Sequence, residues 1–184
     1  MIWVFLADGF EETEALATAD VLLRAGNQVQ LLHAGRGNIV KGSHGIRVIC
    51  DGDTELLPKK DGVRCVVLPG GMPGTLNLEK NPVVQEMLDW AFEQQILVGA
   101  ICAAPSILGH RGDLQGKQAT CFPGYEQELV GAEVLGRSVV RDGNIVTAKG
   151  MGVSVEFGLA LCEILNGKKE ADKISASLQK EGNR

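Results

Sequence analysis

Ile96-Leu97-Val98-Gly99-Ala100-Ile101-Cys102-Ala103-Ala104-Pro105-Ser106-Ile107-Leu108 decides the fold class. The first half is a short apolar run rich in β-branched residues, the pattern of a strand buried on both faces. The second half, with Pro105 at an opening position, reads as the first turns of a helix. A buried strand running straight into a helix is the repeating unit of a parallel α/β sheet. Cys102 stands at the junction, where unpaired N–H groups and the positive helix end are expected to favour thiolate over thiol. On this local pattern a reactive nucleophile and an inert packing thiol both fit.

The same alternation extends in both directions. Ile2 to Ala7 reads as a buried strand, followed by a helix over 11–25 with Ala15, Leu16, Ala19, Leu22 and Leu23 at helical spacing and Gly26 as its stop. Val29 to His33 is a second strand, and a turn at 42–45 leads into Ile46 to Ile49, an excursion hairpin strand. A further buried strand over 63–68 breaks at Pro69-Gly70-Gly71, and Asn81-Pro82 caps a helix over 83–95. A short helix is expected at 125–130, and a strand pair over 138–148 about an Asp142-Gly143 turn. Two helices over 153–165 and 169–180 close the chain. The expectation is an α/β fold, a mainly parallel sheet with helices on both faces, forming one domain over 1–184.

Composition narrows the function classes. Of 184 residues, 45% are hydrophobic and 22% charged, ordinary values for a soluble globular protein. The net charge of −5, the 4% aromatic content and the lack of a basic cluster beyond Lys59-Lys60 and Lys168-Lys169 argue against direct nucleic-acid binding. The apolar N-terminus is too short for a signal peptide, and no run could cross a bilayer, so a cytoplasmic protein without membrane partners is expected. Cys50, Cys65, Cys102, Cys121 and Cys162 are odd in number and lack C-x-x-C spacing, so neither a disulfide framework nor a zinc cluster is suggested. His33, His44 and His110 form no ligand pattern, and no dinucleotide or Walker motif occurs, so no metal or other cofactor is expected.

In such sheets, sites form beyond the carboxyl ends of the strands. Three segments deliver polar or glycine-rich residues there: Asp8 to Glu14, Pro69-Gly70-Gly71, and Cys102. Glu11 and Glu12 are explained by the dipole of the helix they open. Glu14 lies a turn further in, beside Ala15 and Leu16, where burial near sulfur would raise its pKa and let it act as acid or base. Gly70-Gly71 reads equally as a strand-ending turn or as a source of backbone amides for an oxyanion hole. Cys65 and Cys162 read as packing residues, and Cys121, beside Phe122-Pro123, is a candidate redox partner.

Taken together, Leu6 to Ala15 (LADGFEETEA), Val66 to Gly71 (VVLPGG), Ala100 to Pro105 (AICAAP), Thr147 to Gly150 (TAKG) and Glu156 to Gly158 (EFG) resemble the DJ-1/PfpI (ThiJ-like) superfamily, in its motif order and across nearly the whole chain. The resemblance implies a flavodoxin-like sandwich, a homodimer, and a reactive Cys102 on a nucleophile elbow contacted by Glu14. It also implies an oxyanion site from the backbone amides of Gly71 and Ala103, with Gly70 beside them. Two departures stand out. Phe122 precedes Pro123 where DJ-1-like relatives carry His, and Ala103 follows the nucleophile where protease-like and chaperone-like branches carry His. His44 occupies a turn where DJ-1-like relatives often have Arg, so it reads either as lining the pocket or a partner-chain boundary, or equally as a plain surface-turn residue. The class I glutaminases share the elbow but need a downstream His-x-Glu, and no His follows His110. The implied activity is glutathione-independent conversion of 2-oxoaldehydes (glyoxalase III-like), or repair of glycated groups. The alternative is a non-enzymatic redox sensor or chaperone working through oxidation of Cys102.

Overall fold

The computed structural model describes residues 1–55, 57 and 60–178. In chain order, the first half comprises β1 (Ile2–Leu6), α1 (Glu12–Arg24), β2 (Val29–His33), β3 (Ile39–Lys41), β4 (Arg47–Ile49), β5 (Gly52–Asp53) and β6 (Cys65–Leu68). There follow α2 (Gly74–Lys80), α3 (Pro82–Glu93), β7 (Leu97–Ile101), α4 (Pro105–His110) and β8 (Gln118–Ala119). The last elements are β9 (Glu133–Val134), β10 (Val139–Asp142), β11 (Ile145–Ala148), α5 (Ser154–Asn166) and α6 (Lys168–Ser177).

Seven strands form one sheet in the order β10-β11-β7-β6-β1-β2-β5, and every pairing is parallel except β10 with β11. β1, β6, β7 and β11 are buried throughout, as befits strands covered on both faces whose sequences carry a single hydroxyl side chain, Thr147. Alternate side chains feed two cores. Trp3, Phe5, Val66, Leu68, Val98 and Ala100 pack with Leu78, Val84, Met87, Leu88 and Ile107 on one face. Ile2, Val4, Leu6, Val67 and Ile101 pack with Ala15, Leu22, Phe157, Leu161 and Ile174 on the other. Gly158 lets α5 cross close to α1, since a Cβ there would stand 2.9 Å from the Cβ of Val21.

The register sets Leu68 against Ala100, and Ile101 against Ala148, so the segments after β1, β6, β7 and β11 emerge along one edge. The expected excursion hairpin is present as β3 paired antiparallel with β4, and the Asp142-Gly143 turn joins β10 to β11. The 125–130 segment is not an α-helix but a single 3-10 turn, Glu126–Glu128, because Gly124 before it and Gly131 after it both take positive φ. Leu16 and Leu23, placed by spacing on the core face of α1, are exposed instead. Of the last expected helix, residues 179 and 180 lie outside the described residues. No helix among the described residues is long and apolar enough to cross a membrane.

Candidate active site

Cys102 leaves β7 with φ +65°, a left-handed conformation that costs a non-glycine residue about 1–3 kcal/mol. Three backbone bonds hold it there. The Cys102 N–H donates to the Ala148 carbonyl (2.9 Å), the Ala104 N–H to that of Ile101 (3.0 Å), and the Phe122 N–H to that of Cys102 (2.8 Å). Strand, sharp turn and Pro105-initiated helix thus present the sulfur at the sheet edge, the geometry of a nucleophile elbow.

Glu14 reaches the same point from α1. Glu11 caps that helix, its carboxylate accepting the Glu14 N–H at 2.6 Å. The Glu14 side chain is almost wholly buried, and its Oε2 accepts the Gly70 N–H at 2.8 Å. Its Oε1 is buried without a hydrogen-bond partner. Burial pushes this carboxyl up to about 7, opposed by the Cys102 thiol, the Gly70 N–H and the Met151 N–H, all of which favour its charged form.

The expectation that the junction itself makes a thiolate is corrected here. Burial pushes the Cys102 thiol up to about 12, and the charge and hydrogen bond of Glu14 add to the rise; the N–H groups of Ala103 and Gly71 oppose it. The Cys102 N–H is already bonded to β11, and α4 is only six residues long, so its dipole is weak against desolvation. While Glu14 is ionised, the proton therefore stays on sulfur. The pair is a thiol beside a carboxylate that can take its proton, with two N–H groups facing the sulfur.

The remaining expected residues fall in different places. Gly70 is not an oxyanion donor: its N–H belongs to Glu14, and its carbonyl accepts the Glu11 N–H at 2.8 Å. Ala103 and Gly71 keep the amides that face sulfur. The Phe122 ring borders Gly150 on the side that also faces Sγ, since a Cβ on Gly150 would lie 3.2 Å from that ring and 3.8 Å from Sγ. Cys121 is buried and lines a separate 310 Å³ pocket with Lys149 and Glu126, and burial raises its thiol to about 11.

His44 is exposed and turned away to Glu12, its Nδ1 lying 2.9 Å from Oε2. Sequence reasoning explained Glu12 by the helix dipole alone and missed this knot. The buried Glu12 carboxylate also accepts the His44 N–H (2.8 Å) and the Ser43 hydroxyl (3.2 Å), tying the β3–β4 turn onto α1. Burial works against the Glu12 charge, but the bonds from the His44 ring and from backbone N–H groups prevail and bring it down to about 2. Stability from Glu12 is thus present above the ordinary carboxyl range and drains away as pH falls from there towards 2. Glu12→Gln is expected to destabilise the fold by about 1–3 kcal/mol at pH 7, and by much less near pH 2, in urea melts at the two pH values.

The model of the DJ-1/PfpI family matches residues 1–164. The Drosophila melanogaster protein dj-1beta is 35% identical over 177 residues, 95% of this chain and 94% of that protein. The Caenorhabditis elegans glutathione-independent glyoxalase DJR-1.2 is 32% identical over 167 residues, covering 89% and 87%. Among solved structures, oxidized Toxoplasma gondii DJ-1 superposes with a TM-score of 0.93 at 32% identity, covering 98% of each chain. With the match running unbroken from β1 into α5, and with relatives matched almost end to end, the chain belongs to the DJ-1/PfpI family.

Proposed function

We propose that this protein is a cysteine-dependent stress-protection enzyme that converts reactive 2-oxoaldehydes to hydroxy acids without glutathione. The observation that carries the reading is the Glu14 carboxyl buried beside Cys102 and held by the Gly70 N–H, where burial pushes it up to about 7. A relative of 32% identity bears the name of a glutathione-independent glyoxalase, which supports the same chemistry. Sγ adds to the aldehyde carbon of methylglyoxal while Glu14 takes the thiol proton and passes it to the former carbonyl oxygen, giving a neutral hemithioacetal and regenerating the carboxylate. The oxygen that gains charge lies against the Gly71 and Ala103 amides. Glu14 then carries a proton from C1 to C2, which oxidises the first carbon and reduces the second within one molecule. Water hydrolyses the resulting lactoyl thioester, releasing lactate and the free thiol. Glycated groups that present the same α-dicarbonyl chemistry are a second substrate class.

The test is lactate formation from methylglyoxal in glutathione-free buffer. Wild type is expected to be active and Cys102→Ala to lose at least about a thousandfold; equal rates would sink the proposal.

A second reading has its own observation. A protonated Glu14 carboxyl, donating from its unpartnered Oε1, and the two amides at Sγ are suited to hold the oxygens of a Cys102 sulfinate. Two equivalents of peroxide would oxidise the thiol and yield two waters. A mass increase of two oxygens confined to Cys102 would favour sensing, provided aldehyde turnover is absent. The proposal includes a cytoplasmic homodimer of a single domain over 1–184; Leu16, Leu23, Ile46 and Ile49 are exposed apolar side chains that a dimer contact would cover.

A further inference from the structure

A cleft of about 850 Å³ opens beside the site, lined by Met72, Leu76, Glu79, His110, Tyr125 and Glu128 among others. Three segments of the active site run directly into it. Met72 follows Gly71, whose amide faces Sγ. Ser106, on its wall, donates to the carbonyl of Ala103 at 2.7 Å. Gly124 and Tyr125 follow the Phe122-Pro123 segment that bonds to Cys102.

The lining pairs apolar walls with unbalanced charge. His110 Nδ1 lies 2.5 Å from Glu79 of α2, and its Nε2 2.7 Å from Glu128 of the 3-10 turn. A neutral imidazole has one N–H and could serve only one of these carboxylates, so the doubly bonded ring is an imidazolium. The cleft then carries two negative charges and one positive. The bond from Glu79, followed by that from Glu128, raises the His110 pKa against the opposing effect of burial. Arg111, next along the chain, offers no compensation, because its guanidinium is engaged by Asp113, Asp89 and Gln85. The carboxylates sit on opposite ring nitrogens, so the three groups do not converge on one metal ion.

We propose that this cleft is the subsite for the non-reacting arm of molecules that react at Cys102, selecting an apolar chain that ends in a cation over one that ends in a carboxylate. The inference rests on Cys102 being the reacting thiol. Met72, Leu76 and Tyr125 cover the chain, and Glu79 and Glu128 hold the cationic end. Loss of the His110 proton makes the cleft more negative, from −1 to −2, so the preference strengthens as pH rises through the His110 titration.

The experiment compares alkylation of Cys102 by iodoacetamide and by N-substituted iodoacetamides bearing hexyl, 6-ammoniohexyl or 5-carboxypentyl arms, with peptide mapping of the product. The ammonium probe is expected to react about two- to fivefold faster than the carboxylate probe, the range for partly exposed charge pairs. That ratio is expected to fall to near one in Glu79→Gln/Glu128→Gln. Leu76→Lys, at an exposed position of α2 that leaves the His110 bonds intact, brings the net charge of the cleft to zero and is expected to abolish the preference. Normal iodoacetamide labelling with equal rates for all arms, or a preference unmoved by Leu76→Lys, would overturn the subsite alone. Failure of iodoacetamide itself to label Cys102 would overturn the active-site reading, and this one with it.

Discussion

Glu14→Gln is expected to lower the kcat/KM for methylglyoxal by about a hundred- to ten-thousandfold, the usual worth of a positioned general base. The amide is nearly isosteric, and its oxygen can still accept the Gly70 N–H that Oε2 accepts at 2.8 Å. What it cannot do is take the proton of a thiol that burial holds up to about 12. In wild type the carboxylate form is the competent one, so kcat/KM should rise with pH through an apparent pKa near 7. The variant should lose that limb.

Stability should move the other way. A buried carboxyl with a raised pKa stabilises the fold relative to its charged form below the unfolded value, near 4.5, and that contribution is lost as pH rises to about 7. Above pH 7 the wild type therefore bears a buried charge, at a cost on the order of 3 kcal/mol. Glu14→Gln should melt later than wild type at pH 8, and the gain should vanish near pH 4. A variant that is both less stable at pH 8 and fully active would leave Glu14 with a packing role only. The opposed signs matter because replacing a merely structural residue would lower stability at pH 8, not raise it.

The fold was legible where burial alone writes the sequence. β1, β6 and β7 are apolar at every position save the thiol of Cys65 and Gly99, and Asn81 announces α3 by capping it from its side chain. α2 was not legible: Gly74–Lys80 starts at a Pro-Gly pair and has no side-chain cap, so nothing local distinguishes it from a turn. The two-residue strands β5, β8 and β9 are defined by their neighbours, not by any period of their own. The site shows the same division. Cys102 and Glu14 stood out through residue type and motif. Gly70 as the amide that orients Glu14, and Glu12 as the anchor of a turn some thirty residues on, depend on contacts across the fold. The spacing of residues within one element carries no record of them.

Gly70→Ala should damage catalysis nearly as much as loss of the base, without touching either reacting side chain. A Cβ at position 70 would lie 2.6 Å from the Cβ of Cys102, 2.8 Å from Oε2 of Glu14 and 3.0 Å from the Ile101 carbonyl. None of these can retreat cheaply. Cys102 is fixed by bonds to β11 and to Phe122, and Glu14 is enclosed in the core. Overpacking of this kind costs about 1–3 kcal/mol, and displacing a reacting group by an ångström costs about a hundredfold in rate. The expected result is a folded protein, somewhat less stable, with kcat/KM reduced a hundredfold or more. Its pH profile should also shift to higher pH, because pushing the Gly70 amide away removes a bond that favours the charged Glu14. Gly136→Ala is the control, since a Cβ there meets nothing within 4 Å, and it should match wild type in both stability and rate. If Gly70→Ala kept its rate within threefold and its profile unshifted, the close approach of β6 to the Cys102–Glu14 pair would be irrelevant to the chemistry. The glycine would then be there only to end a strand.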